Sequence, residues 1–154
     1  MLKSLEIKNY AIIEHITILF DDKLNIITGE TGAGKSILLG ALGLTLGERA
    51  DSKALYNKDS KCFVEAIFTL KLKKFKSFFK DNDLDFEENT SIRREISVTG
   101  KSRAFINDTP VTLSLLKALT EQLVNLHSQQ ETGELNKQGF QISVVDFSAK
   151  NQFL

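Results

Sequence analysis

Eight residues constrain this chain more than any others: Gly29-Glu30-Thr31-Gly32-Ala33-Gly34-Lys35-Ser36. They satisfy G-x-x-x-x-G-K-[ST] at every fixed position. The glycines let the backbone turn tightly and bring its N–H groups against phosphate oxygens with no Cβ in the way. Lys35 supplies positive charge toward the β- and γ-phosphates, and Ser36 offers a hydroxyl to Mg²⁺. The setting agrees with the motif. Leu24-Asn25-Ile26-Ile27-Thr28 reads as an apolar strand leading straight into the glycines. From Ser36 to about Leu46, the residues Ile37, Leu38, Ala41, Leu42 and Thr45 recur at helical spacing, with Gly47 as the stop. A strand, a phosphate loop and a helix whose N-terminus faces the loop make an α/β fold that binds a nucleoside triphosphate, read here as ATP with Mg²⁺.

The chain has 154 residues, enough for one domain with its own core. Hydrophobic residues are 42% and charged residues 26%, as in ordinary folded domains rather than disordered ones. Twenty basic residues balance twenty acidic ones, so bulk charge does not itself argue for nucleic acid. The single cysteine, Cys62, cannot form an internal disulfide; it reads as a buried thiol in a strand and suits a reducing compartment. No apolar run of about 18 residues predicts a membrane span. The N-terminal stretch carries Glu6, Lys8, Glu14 and His15 within its apolar part, unlike a signal peptide. A cytoplasmic protein is expected.

The remaining elements follow from period and turn chemistry. Residues 2–8 and 15–20 read as strands, separated from Leu24 by the Asp21-Asp22-Lys23 turn. Residues 61–72 alternate as another strand. Lys71–Lys80, basic and studded with Phe75, Phe78 and Phe79, reads as a short amphipathic helix, and the acidic run Asp81 to Asn89 as a loop. Ile92–Val98 and Arg103–Asn107 flank Thr99-Gly100-Lys101-Ser102 as a hairpin. A second turn is expected at Asn107–Pro110, a helix at Leu113–Leu119 capped by Thr112 or Ser114, and a short buried strand at Leu123–Leu126.

A P-loop ATPase also needs an acidic residue at the end of an apolar strand. Ile142-Ser143-Val144-Val145-Asp146 is the late candidate, but Ser143 interrupts it and Phe147, not a glutamate, follows Asp146. No glycine-rich signature of the LSGG kind occurs. The sequence therefore carries the front half of an ATP site without its back half. His15 and His127 have no partners at metal-site spacing, so neither is read as a ligand.

Several blocks together resemble the N-terminal head segment of the RecN family of bacterial DNA repair proteins, in the SMC-like (structural maintenance of chromosomes) branch of the ABC-type ATPases. They are Leu5 to Glu14, Leu24 to Leu39 with its GETGAGKSILL core, and Ala41 to Asp51 with LGERAD. Later blocks are Ile92 to Ile96, Ser102 to Asn107, Pro110 to Leu113 and Leu123 to Gln130. The resemblance covers nearly the whole chain.

It implies an ABC/SMC-type P-loop NTPase head, of which residues 1–154 form the N-terminal half with P-loop and Q-loop: a mixed sheet with an antiparallel lobe. The coiled coil, signature motif, acidic strand and catalytic glutamate of such a head would lie beyond this segment. It further implies ATP-driven pairing with a second head, DNA binding and a role in double-strand break repair, with the fragment alone incomplete for hydrolysis. Gln129 falls where the family places the glutamine that approaches Mg²⁺ and the attacking water. The family's usual His-Gly-Gln-His is here His127-Ser128-Gln129-Gln130, which leaves Gln130 as the alternative register. A different reading of the same motifs is a nucleotide-binding assembly module that does not hydrolyse.

Other residues stay open between two roles. Arg49 and Asp51 follow the P-loop helix, where Arg49 would reach a phosphate or make a surface ion pair. Tyr10 would stack near adenine or pack in the core. Arg93, Arg94, Lys101 and Arg103 crowd one hairpin, either to meet DNA phosphates or as a solvated strand face. The Phe residues of Lys71–Lys80 would stack bases or face the core.

Overall fold

A computed structural model describes residues 1–29, 34–50 and 55–124. Six strands form one sheet: β1 (Leu2–Tyr10), β2 (Ile13–Leu19), β3 (Cys62–Thr69), β4 (Asn89–Ile96), β5 (Ser102–Ile106) and β6 (Thr109–Val111). Their order is β2-β1-β3-β4-β5-β6, and every neighbouring pair is antiparallel. Three helices accompany them: α1 (Gly34–Thr45), α2 (Leu72–Asp81) and α3 (Leu113–Thr120).

Period-2 alternation decides the faces. In β3, Cys62, Val64, Ala66 and Phe68 are buried, while Phe63, Glu65, Ile67 and Thr69 keep some exposure. In β4, Thr90, Ile92, Arg94 and Ile96 are buried. The helices complete the core on that side: Ala41 and Leu44 of α1, Phe75 and Phe79 of α2, and Leu116 and Leu119 of α3 join the same cluster. Phe79 meets Phe86 edge-to-face at 5.2 Å. Phe75 and Phe79 are thus core residues, and the exposed side of α2 carries Lys73, Lys74, Lys76 and Lys80.

The turns obey local chemistry. Asn107 (φ 47°) and Asp108 (φ 62°) are both left-handed, as a two-residue loop between Ile106 and Thr109 requires. The turn is therefore shorter than Asn107–Pro110, and Thr109–Val111 continues as an edge strand where Pro110 is tolerated. Thr112 Oγ1 accepts from the Leu115 N–H at 3.2 Å and caps α3. Gly47 (φ 96°) ends α1 in a Schellman motif: the Glu48 N–H donates to Gly43 O at 2.9 Å and the Gly47 N–H to Leu44 O at 3.3 Å.

One expected strand does not form. Leu24–Thr28 has no strand conformation; Leu24 is 77% and Ile26 74% exposed. A strand exists only beside a partner, and none of the six described strands pairs with it. The antiparallel lobe of the expected sheet is present, and the parallel strand before the glycines is not. At the other end, α3 is followed by a turn over 121–123; the expected strand Leu123–Leu126 lies partly outside the described residues, which end at Val124.

Candidate phosphate-binding site

The site begins where the apolar segment reaches Gly29 and resumes where α1 starts at Gly34. Lys35 and Ser36 stand in the first turn of α1 and are exposed. Lys35 Nζ donates to Gly29 O at 2.5 Å, spanning the loop from its C-terminal to its N-terminal end. The first N–H groups of a helix lack intrahelical acceptors and carry partial positive charge. No acidic side chain occupies the first turn of α1 to neutralise it. A Cβ added at Gly34 would meet nothing within 4 Å, so the backbone there is open to a ligand. These residues fit a phosphate group. Glu30, Thr31, Gly32 and Ala33 lie outside the described residues, as do Asp51, His127, Gln129, Gln130 and the Ile142–Asp146 segment.

The helix that carries Lys35 and Ser36 is set by contacts the sequence motif does not mention. Tyr10 is half-buried, and its hydroxyl would lie 2.9 Å from a Cβ at Gly40. Burial, with the Cys62 thiol and Glu48 nearby, pushes the Tyr10 phenol above its ordinary value. Tyr10 is therefore a packing residue against α1. The neighbouring Asn9 (φ 56°) donates from Nδ2 to Asn57 O at 2.9 Å and Ser60 O at 2.7 Å, while its Oδ1 accepts from the Asn57 N–H. That clamp ties the end of β1 to the loop entering β3. Asparagine's tolerance of the left-handed region was its available sequence signal.

The four basic residues of the hairpin do not form one surface. Arg93 lies on the open face between Phe105 (4.5 Å) and Phe63 (6.0 Å) and pairs with Asp108 at 2.7 Å. Arg94, one residue on, turns to the opposite face and is only 2% exposed. Lys101 and Arg103 are exposed. Arg49 is exposed at the end of α1. His15 pairs with Glu6 at 3.0 Å on edge strand β2. Lys8, then burial acting the other way, then His15 set the Glu6 carboxyl, with the net effect below its ordinary value. Among the described residues no three His, Cys, Asp or Glu side chains gather as a metal site, and no helix is long and apolar enough to cross a membrane.

Comparison with known proteins gives the same picture. The family model for the AAA domain matches residues 4–153. The chain is 41% identical over 147 residues to the DNA repair protein RecN of Vibrio cholerae, covering 95% of this chain and 26% of that protein. It thus spans about a quarter of the length of the curated relatives it matches. Among solved structures, it superposes with a TM-score of 0.65 at 20% identity on one from work on ATP-driven dimerization and DNA-stimulated activation of SMC ATPases, over 94% of this chain and 90% of that one. The SMC head domain of Thermotoga maritima gives 0.57 at 22% identity, over 77% and 41%. These likenesses show the fold, an α/β P-loop head of SMC type. The chain belongs to the AAA domain family and resembles, over nearly its whole length, the N-terminal head segment of the DNA repair protein RecN.

Proposed function

We propose that this chain is the ATP-binding part of an SMC-like ATPase acting in DNA double-strand break repair and recombination. The observation that carries the reading is the pairing of Lys35 with Gly29 across the loop, at the mouth of a helix whose first turn carries no acidic residue. Gly29 to Ser36 would hold the triphosphate, with Lys35 leaving Gly29 O for the β- and γ-phosphates. Bound Mg²⁺ would supply charge neutralisation at those oxygens. Ser36 and Gln129 are its proposed ligands, and Gln129 is the residue proposed to orient the attacking water, its amide both accepting and donating without changing charge.

On this reading residues 1–154 are the P-loop and Q-loop half of a head, and they do not hydrolyse ATP unaided. The partners are the C-terminal half of the same head, a second head in an ATP-dependent dimer, and DNA. The protein is cytoplasmic and nucleoid-associated. Support for a missing half comes from the apolar approach to the loop: Leu24, Ile26 and Ile27 are 77%, 74% and 48% exposed. A strand-forming apolar run in solvent is a surface built to be covered.

The test is Mg²⁺-ATP binding and turnover by the chain, alone and mixed with a candidate C-terminal head piece. Turnover only on mixing, lost in Lys35→Ala, is the expected result. Robust turnover by residues 1–154 alone would overturn the split-head assignment.

A further inference from the structure

Arg94 is buried without a counter-charge among the described residues. Its Nη2 donates to Ser102 Oγ at 2.5 Å, while Nε and Nη1 have no hydrogen-bond partner among the described residues. The three N–H groups on Nε and Nη1 are therefore unanswered among the described residues. Its register neighbours on β3 and β5, Val64 and Ala104, are apolar. Burial pulls its pKa below the ordinary arginine value. An arginine cannot escape by deprotonating, so a buried guanidinium in this state is strongly destabilising unless an anion reaches it.

A cleft stands ready beside it. Arg94, Ser102, Arg103, Ala104, Val111 and Leu113 line a cavity of about 520 Å³ between the β4–β5–β6 end of the sheet and the start of α3. Among the described residues no acidic side chain lines it. The positive end of the α3 dipole opens at the same place, since Leu113 is the first residue of that helix. The volume suits a small organic ligand rather than a bare ion, and Ala104, Val111 and Leu113 offer it an apolar wall.

We propose that this cleft is a second anion site, separate from the P-loop, that takes the terminal phosphate of a small phosphomonoester on Arg94 and Ser102. A guanidinium with unanswered N–H groups, a hydroxyl and the positive end of α3 match a dianion with three acceptor oxygens better than a singly charged carboxylate. The guanidinium lies beneath the surface, so the group reaching it must end a molecule, which a diester within a nucleic-acid backbone does not.

The experiment follows thermal unfolding of the 154-residue chain in chloride, phosphate, acetate and dimethyl phosphate at equal ionic strength. Four proteins are compared: the parent, Lys35→Ala, Arg94→Met and Ser102→Ala. Phosphate should raise the midpoint of the parent by several degrees and still do so in Lys35→Ala, where the P-loop no longer contributes. Arg94→Met, which replaces the uncompensated charge by an apolar chain of similar length, should unfold higher than the parent in chloride and show no phosphate effect. Should Arg94→Met not fold, Ser102→Ala decides, with a weakened phosphate response expected. A phosphate effect that survives Arg94→Met, is unchanged in Ser102→Ala or vanishes in Lys35→Ala overturns the site. Acetate or dimethyl phosphate acting as strongly as phosphate overturns its assignment to a monoester.

Discussion

Asn9 grips the Asn57 peptide from both sides, its Oδ1 accepting from the Asn57 N–H and its Nδ2 donating to the Asn57 carbonyl at 2.9 Å. The clamp forms only because Asn9 sits at φ 56°, which turns its side chain from the strand toward the 57–60 loop. Asn9→Ala loses the hydrogen bonds and strains the backbone, and should destabilise by about 2–4 kcal/mol. Asn9→Gly keeps the dihedral freedom and should lose about 1–2 kcal/mol less than that. Urea unfolding of the two variants separates the contributions; equal losses would mean that the dihedral has no part in it.

The Tyr10 hydroxyl occupies the space a side chain at Gly40 would need, 2.9 Å from where its Cβ would stand. Gly40→Ala therefore opposes a gain in helix propensity of about 1 kcal/mol against a steric clash on a rigid ring. The net effect should be destabilising by about 1 kcal/mol or more with Tyr10 in place. In a Tyr10→Phe background the same change should become neutral or stabilising. A double-mutant cycle reads the coupling directly, and additive effects would show that ring and helix do not meet. Gly43 makes an instructive contrast, because the crowding atoms there belong to the exposed, flexible Glu48 side chain, which can swing away.

Cys62 is fully buried, and burial pushes its thiol from an ordinary value near 9 to about 11. The folded state therefore holds its proton longer than the unfolded chain does. Stability from this group is complete below pH 9 and falls as pH rises from about 9 to about 11, at about 1.4 kcal/mol per unit. Cys62→Ala should flatten that alkaline slope while lowering stability at neutral pH through the lost volume. Unfolding free energies measured across pH 8 to 11 check both signs.

How far the sequence discloses this molecule depends on how local each feature is. Strand β3 and the β4–β5 hairpin were legible because alternation and the turn residues lie within a few positions of one another, although the connection runs over residues 97–101 and Ser102 already belongs to β5. Helix α1 was legible for the same reason, its stop written in Gly47. The role of Gly40 was not, because its cause is a ring 30 positions earlier. Arg93 and Arg94 read as one basic cluster, although the strand period sends them to opposite faces and gives one a partner in Asp108 and the other burial. The G-x-x-x-x-G-K-S motif is plain in the sequence, and the structure adds the link from Lys35 to Gly29.

Leu24–Thr28 failed as a strand because pairing is not a property of the segment that pairs. Apart from Asn25 its residues are apolar or β-branched, yet Leu24 and Ile26 lie in solvent. Their burial contributes almost nothing to the stability of this chain on its own. Leu24→Ser with Ile26→Ser should therefore leave the unfolding midpoint nearly unchanged, where the same pair of changes in a packed core would remove about 4 kcal/mol or more. The same double variant should weaken self-association, which exposed apolar surface drives. Sedimentation velocity across a concentration series reads this, the parent sedimenting faster as concentration rises and the variant remaining monomeric. A large drop in midpoint instead would mean that the segment is packed in solution, and that the sheet pairs with it in a way the six-stranded order does not include.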